Sequence, residues 1–203
     1  MLELDTPHGP ARAHLLLVKS PAAGLVLGHG AGGGIESPDL LGAAEGAHRA
    51  GLSVALVEQP YRVAGRRSPA PVSQLDAAWA AVVSQLREGP FSGLPILTGG
   101  RSLGARVACR TAATTDSVAV LCLAFPLHPP GRPEKSRLPE LDAVKVPTLV
   151  VQGESDPFGT PPDSPNRTLA RVPGTHALKN ETTVGAAFSE WLASLSSDLF
   201  EWT

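Results

Sequence analysis

Short apolar segments alternate with longer amphipathic ones along most of this 203-residue chain. The short segments have the length and the continuous apolar character of strands that are buried on both faces of a sheet. The longer segments repeat apolar residues every three or four positions, which is typical of helices with one buried face. This alternation predicts an α/β domain in which helices flank a mostly parallel central sheet.

The pattern predicts strands and helices along the whole chain. The predicted strands cover residues 13–18, 24–30, 52–57, 95–99, 118–125, 147–153 and 168–174. The predicted helices cover residues 37–51, 71–89, 102–113 and 182–200. Segment 126–147 is rich in proline and too short for a bundle of lid helices. We therefore expect no lid domain, and residues 1–203 are predicted to form a single domain.

Composition and charge argue against several classes of protein. Hydrophobic residues make up 42% and charged residues 18%, as in globular chains. The net charge of −2 provides no basic field for nucleic acid, and no apolar run is long enough to cross a membrane. The N-terminal residues do not resemble a signal peptide. Cys109 and Cys122 lie in apolar segments without CxxC spacing, so we expect buried free thiols in a cytoplasmic protein.

One short motif suggests nucleophilic chemistry. The sequence GRSLG at residues 100–104 fits the pattern G-x-S-x-G, and it lies between a predicted strand and a predicted helix. In such a turn, side chains at the two glycine positions would collide with neighbouring backbone. The hydroxyl of Ser102 would then project at a helix N-terminus, where amides and the helix dipole favour developing negative charge.

A serine hydroxyl needs a general base, and that base needs a carboxylate to orient it. In hydrolases with this elbow, the order along the chain is Ser, then Asp or Glu, then His. Asp156 follows the predicted strand 147–153, and His176 follows the predicted strand 168–174. Parallel strands end at a common edge of the sheet, so we predict that Ser102, Asp156 and His176 form a catalytic triad there.

A glycine-rich segment supplies the expected oxyanion hole. The sequence HGAGGG at residues 29–34 follows an early predicted strand, and its small residues let backbone amides approach a reacting carbonyl. We predict that the amides of Ala31 and Leu103 bind the oxyanion. The segment lacks G-x-G-x-x-G spacing and a P-loop lysine, which argues against a phosphate site.

Several assignments within this site remain open from the sequence. Glu154 is an alternative to Asp156 as the orienting acid. His128 is an alternative base, although it precedes the acid in the chain, and a pocket-lining or loop-fixing role suits it better. His29 is expected to anchor the glycine loop by hydrogen bonding. These histidines have no local ligand spacing, so no metal site is expected.

Residues beside the elbow are candidates for substrate binding. They are Gly32, Tyr61, Arg101 and His128. We expect Arg101 to pair with a carboxylate such as Glu58, at the end of what we predict to be the neighbouring strand. The alternative is that Arg101 binds an anionic acyl substrate.

Six segments together carry a family resemblance: HGAGGGIESP (29–38), EQPYR (58–62), GGRSLGARVA (99–108), FPLHPPGRPEKSR (125–137), VQGESDPFG (151–159) and GTHALK (174–179). They resemble the α/β-hydrolase superfamily, and within it a compact subgroup that includes testis-expressed protein 30 and the hydrolase-like region of a chromatin-complex subunit. The resemblance implies an α/β-hydrolase fold, the same triad and no cofactor. It departs from the expected pattern at Thr175, where an acidic residue would precede the histidine.

The sequence thus predicts a small serine hydrolase acting on an ester, thioester or related small-molecule acyl substrate. The missing lid predicts an open, shallow site suited to small or extended acyl groups. The alternative is a catalytically silent binding or scaffold protein with the same fold. A peptidase of the prolyl-oligopeptidase type would need an added domain for which 203 residues leave no room. The sequence does not indicate the acyl group, the leaving group or the oligomeric state.

Overall fold

The computed structural model describes residues 1–195, and in this part of the chain one sheet is flanked by helices on both faces. The strands are β1 (Leu2–Leu4), β2 (Ala11–Leu16), β3 (Ala23–Gly28), β4 (Leu52–Glu58), β5 (Ile96–Arg101), β6 (Ala119–Leu123), β7 (Thr148–Gly153) and β8 (Arg167–Val172). The helices are α1 (Pro38–Arg49), α2 (Pro60–Val63), α3 (Val72–Glu88), α4 (Leu103–Thr111), α5 (Leu138–Asp142) and α6 (Glu181–Ser194).

The order of the strands across the sheet is β1-β2-β4-β3-β5-β6-β7-β8. Strands β1 and β2 pair antiparallel with their neighbours, and the strands from β4 to β8 pair parallel. The prediction of an α/β fold with a mostly parallel sheet is therefore confirmed. Because the parallel strands all end at the same edge, the loops that follow them lie side by side.

Hydrophobic side chains bury both faces of the sheet. On one face, Leu27 of β3 packs in a core with Leu40 of α1 and Phe188 of α6. On the other face, Val26 of the same strand packs in a core with Trp79 of α3. Successive residues of β3 thus enter opposite cores, which explains why its sequence is apolar throughout and does not alternate.

Helices α1 and α6 lie in close contact because glycine occupies the crossing point. A Cβ atom at Gly42 would collide with the backbone of Glu181, so any side chain there would push the two helices apart. This packing fixes α1 against the sheet, and the first turn of α1 carries Asp39, which reaches the candidate site.

Some elements differ from the sequence prediction. Strand β1 and helices α2 and α5, of three to five residues, were not predicted, because so few positions show no periodicity. The predicted strand 24–30 ends at Gly28. For the predicted helix 182–200, the structure gives α6, and residues 196–200 lie outside the described part of the chain.

Segment 126–147 contains one short helix, α5, and no lid covers the edge of the sheet within the described residues. Cys109 and Cys122 are buried free thiols, as predicted, with their Sγ atoms 3.4 Å apart. Within residues 1–195, none of the helices combines the length and the hydropathy that a membrane-spanning segment requires.

Candidate active site

Ser102 lies at the sharp turn between β5 and α4, with φ 51° and ψ −101°. This positive φ is unusual for a residue with a side chain and indicates a strained turn. The Ser102 amide donates to the Leu123 carbonyl at 2.9 Å, which ties the turn to the end of β6. A Cβ atom at Gly100 or at Gly104 would collide with the Gly28 carbonyl oxygen, so the predicted steric need for both glycines is confirmed.

The imidazole of His176 contacts both of its predicted partners. Its Nε2 lies 2.9 Å from Oγ of Ser102, and its Nδ1 lies 2.8 Å from Oδ2 of Asp156. An ionised carboxylate only accepts hydrogen bonds, so Nδ1 carries the proton and Nε2 is free to accept from the serine hydroxyl. The Asp156 side chain is 0% exposed and that of His176 is 17% exposed, so the acid is shielded while the base is open to solvent.

Backbone and side-chain donors fix the Asp156 carboxylate. Oδ2 accepts a hydrogen bond from Nε2 of Gln152 at 2.7 Å, and Oδ1 accepts one from the Phe158 amide at 2.8 Å. Gln152 is fully buried, and the same Nε2 also lies 3.2 Å from the Phe125 carbonyl oxygen and 3.0 Å from that of Gly159. The sequence analysis missed Gln152, although its amide at the end of the apolar strand TLVVQG (148–153) is a signal of a buried polar role.

An aromatic ring packs against the base. The rings of Phe158 and His176 have centroids 4.1 Å apart and an interplanar angle of 31°. This contact limits rotation of the imidazole out of the plane in which it reaches both Ser102 and Asp156. Sequence reasoning did not single out Phe158, because only the folded loop places the ring beside the histidine.

The glycine loop is anchored by His29, as predicted. Its Nε2 accepts a hydrogen bond from the Gln59 amide at 3.1 Å, and its Nδ1 donates to the Gly30 carbonyl at 2.8 Å. These two contacts need a neutral ring with its proton on Nδ1. Burial lowers the pKa of His29, which favours the same neutral form.

Tyr61 supports the next residue of the glycine loop. Its hydroxyl donates a hydrogen bond to the Ala31 carbonyl at 3.0 Å. Burial raises the pKa of Tyr61 to about 12, so the hydroxyl keeps its proton at neutral pH. Tyr61 was predicted to bind substrate, and the contact found here is with the backbone of the loop.

Two features suit the predicted oxyanion hole. Leu103 is the first residue of α4, so its amide has no acceptor within the helix. A Cβ atom at Gly32, Gly33 or Gly34 would meet no heavy atom of residues 1–195 within 4 Å apart from its immediate chain neighbours, so the glycine loop borders open space. The elbow therefore offers an amide that the helix does not use, and the glycine loop borders space that a reacting group could enter.

The predicted ion pair between Arg101 and Glu58 is wrong. Strand β3 lies between β4, which ends at Glu58, and β5, which ends at Arg101, so the two strands are not neighbours. Glu58 instead contacts Nε2 of His14 at 3.0 Å on the adjacent strand β2. Arg101 forms an ion pair with Asp39 of α1, with Nε 2.8 Å from Oδ2.

The structure also places the alternative acid and base. Glu154 is exposed, and its amide donates to the Val172 carbonyl, whereas the contact with His176 comes from Asp156. His128 lies against the loop that follows β7: its amide donates to the Phe158 carbonyl at 3.0 Å, and its Nδ1 lies 3.0 Å from the Pro129 carbonyl oxygen. These contacts match the loop-fixing role considered for His128.

The sheet is mostly parallel, a serine elbow follows β5, and the other candidate side chains lie on loops at the same edge. This arrangement defines the α/β-hydrolase fold. Residues 21–198 match the alpha/beta hydrolase domain family, and the chain belongs to that family.

Solved structures agree with this assignment. The XC6422 protein of Xanthomonas campestris, an α/β serine hydrolase without a lid, is similar to 100% of this chain and 95% of its own, with a TM-score of 0.80 and 21% identity. Est1E of Butyrivibrio proteoclasticus, with ferulic acid bound, covers 95% and 98% with a TM-score of 0.75 and 18% identity. Dienelactone hydrolase of Anabaena variabilis covers 95% of each chain with a TM-score of 0.75 and 20% identity. At these identities the likeness establishes the shared fold.

Proposed function

We propose that this protein is a serine hydrolase that cleaves a small ester, thioester or related acyl substrate through an acyl-enzyme. One observation carries the proposal: Nε2 of His176 lies 2.9 Å from Oγ of Ser102, while its Nδ1 lies 2.8 Å from the buried carboxylate of Asp156. This is the arrangement in which a base can take the serine proton and remain correctly oriented.

The proposed reaction proceeds in two halves. Oγ of Ser102 attacks the acyl carbon while its proton passes to Nε2 of His176, and the carbonyl electrons move onto the oxygen. The amides of Ala31 and Leu103 stabilise this oxyanion, and one such donor is worth roughly 3–4 kcal/mol. The tetrahedral intermediate then collapses, the leaving group takes the proton from Nε2, and the acyl group stays on Ser102. Water activated by the same imidazole releases the acid, and no cofactor or metal is needed.

Open space along the glycine loop supports a small or extended acyl group. Among the described residues, no heavy atom beyond the immediate chain neighbours would lie within 4 Å of a Cβ at Gly32, Gly33 or Gly34, and no lid covers the edge of the sheet. Among proteins of similar fold, Est1E binds ferulic acid and another is a dienelactone hydrolase. These relatives favour carboxylic ester chemistry over phosphate chemistry for this chain.

A panel of p-nitrophenyl esters with increasing acyl length, together with one thioester, tests the proposal. We expect hydrolysis of the short esters, a decline as the acyl chain lengthens, and loss of turnover in Ser102→Ala. A clear preference for long-chain triglycerides would contradict the proposed open site. Equal rates in the wild type and in Ser102→Ala would contradict the nucleophile.

A catalytically silent scaffold is the competing function, and it is suggested by the resemblance to the compact subgroup with a chromatin-complex member. We favour the enzyme because a scaffold has no need of hydrogen bonds that link Ser102, His176 and Asp156. We further propose a cytoplasmic location, which the buried free thiols of Cys109 and Cys122 support.

A further inference from the structure

We propose that Arg101 is a positioning residue. It fixes the positions of the glycine loop and of the loop that carries His176 relative to Ser102. The inference rests on the proposed hydrolase function and adds to it a side chain on which the geometry of that site depends.

The guanidinium of Arg101 contacts three separate parts of the chain. Nε lies 2.8 Å from Oδ2 of Asp39 in the first turn of α1. One terminal nitrogen donates to the backbone carbonyl of His176 at 3.2 Å. The other lies against Gly30, where an added Cβ would sit 2.8 Å from it. A planar group with several fixed donors suits this role better than a single ammonium.

The ion pair between Arg101 and Asp39 is largely buried. The Asp39 side chain is 1% exposed and that of Arg101 is 20% exposed. Removing one partner from such a pair leaves a poorly solvated charge, so the pair resists separation. The charge of Arg101 is balanced by Asp39, so we assign it to positioning and not to recognition of an anionic acyl group.

The connection to the chemistry is direct. Arg101 immediately precedes Ser102 at the end of β5, and its hydrogen bond is to the backbone of His176 itself. Without this bond, the loop that carries His176 loses a hydrogen bond to β5, the strand that leads into Ser102. A displacement of about 1 Å between reacting groups costs on the order of 10²-fold in rate.

The test compares Arg101→Met, Arg101→Lys and Asp39→Asn on two esters of matched leaving group, p-nitrophenyl butyrate and the p-nitrophenyl monoester of succinate. We expect Arg101→Met to lower kcat by about 10²-fold on both esters, with KM changed by less than about twofold. The kcat of Arg101→Lys should be intermediate, because lysine can keep the contact with Asp39 but cannot also contact His176 and Gly30. Asp39→Asn should lower kcat in the same direction.

Arg106→Met is the matched control. Arg106 pairs with Glu140 at 2.5 Å, with side chains 18% and 19% exposed, so this variant also breaks a largely buried ion pair. Its guanidinium contacts Glu140 of α5 and not the candidate site, and the substitution leaves its backbone amide in place. We expect kcat to stay near the wild-type value.

Two results would overturn the inference while the wild type remains active. One is a kcat of Arg101→Met within about threefold of wild type. The other is a loss confined to KM for the anionic ester, which would assign Arg101 to substrate recognition.

Hydrogen exchange of residues 174–178 tests the inference even if the wild type hydrolyses no ester and the proposed function fails. Faster exchange in Arg101→Met than in Arg106→Met supports the positioning role of Arg101, and equal exchange contradicts it.

Discussion

Nε2 of Gln152 lies 2.7 Å from Oδ2 of Asp156, the same oxygen that faces Nδ1 of His176 at 2.8 Å. Two donors thus converge on one carboxylate oxygen. Gln152 extends from the end of β7, so a rigid strand fixes the direction in which the acid holds the base. The geometry of the proposed triad therefore depends on Gln152, which is not a member of it.

Replacing Gln152 by leucine should weaken both activity and stability. The change removes buried hydrogen bonds to the Asp156 carboxylate and to the Phe125 and Gly159 carbonyls, at a cost of about 1–3 kcal/mol in the free energy of unfolding. The Asp156 carboxylate also loses one of the donors that fix it, so we expect kcat to fall about tenfold or more while KM changes little. Ester hydrolysis and urea unfolding measure the two effects.

Gln85→Leu provides a matched control for that variant. Gln85 donates to the Asp5 and Ala81 carbonyls, so its loss also removes hydrogen bonds from a glutamine amide, but on α3. We expect some loss of stability without loss of kcat. Equal kcat in Gln152→Leu and Gln85→Leu would show that Gln152 does not act through Asp156.

Ser102→Gly should be more stable than Ser102→Ala. Both variants lose the hydroxyl, but only glycine adopts the positive φ of 51° without strain. Such strain costs about 1–3 kcal/mol. The advantage of glycine is smaller than this, because its greater flexibility in the unfolded chain disfavours folding. We expect a net difference of about 1 kcal/mol in the free energy of unfolding. An alanine variant as stable as the glycine variant would contradict a strained elbow.

His29 should make the fold sensitive to acid. Because burial lowers its pKa below the ordinary value of 6.5, the unfolded chain takes up a proton first as the pH falls. Its contribution to stability is therefore present above 6.5, declines as the pH falls below 6.5, and levels off below the lowered folded-state pKa. Urea unfolding of the wild type and of His29→Gln across this range should give a difference that shrinks in acid. A difference independent of pH would contradict the buried neutral ring.

Tyr61 offers a spectroscopic check, because it is the only tyrosine in the sequence. Its pKa is raised by burial from the ordinary 10.0 to about 12, so ultraviolet absorbance of tyrosinate should appear late in an alkaline titration. The unfolded chain ionises first, so the Tyr61 contribution to stability falls as the pH rises from 10.0 towards 12. Tyr61→Phe supplies the background. A native-state midpoint near the ordinary value would contradict burial of the hydroxyl.

The sequence predicted the framework of the site because its signals are local. The apolar segments that became β3, β5 and β7 predicted buried parallel strands, and the motif around Ser102 predicted the elbow. Once parallel strands are assumed, their ends share one edge, so Asp156 and His176 were predicted to lie near the serine. In the structure His176 lies within hydrogen-bond distance of both Ser102 and Asp156 at that edge.

The supporting contacts depend on information that is not local. The partner of Arg101 follows from the strand order, in which β3 separates β4 from β5, and from the packing of α1 that brings Asp39 to the site. The roles of Gln152 and Phe158 depend on the path of the loop after β7. Neither strand order nor loop path has a periodicity that one sequence displays.

Covalent labelling with a fluorophosphonate probe, with the adduct mapped by mass spectrometry, tests the proposed triad most directly. We expect one adduct on Ser102 in the folded wild-type protein, none at that position in Ser102→Ala, and strongly slowed labelling in His176→Ala, because the base activates the hydroxyl. A folded wild type that never reacts, or one that reacts equally fast without His176, would contradict the proposed chemistry.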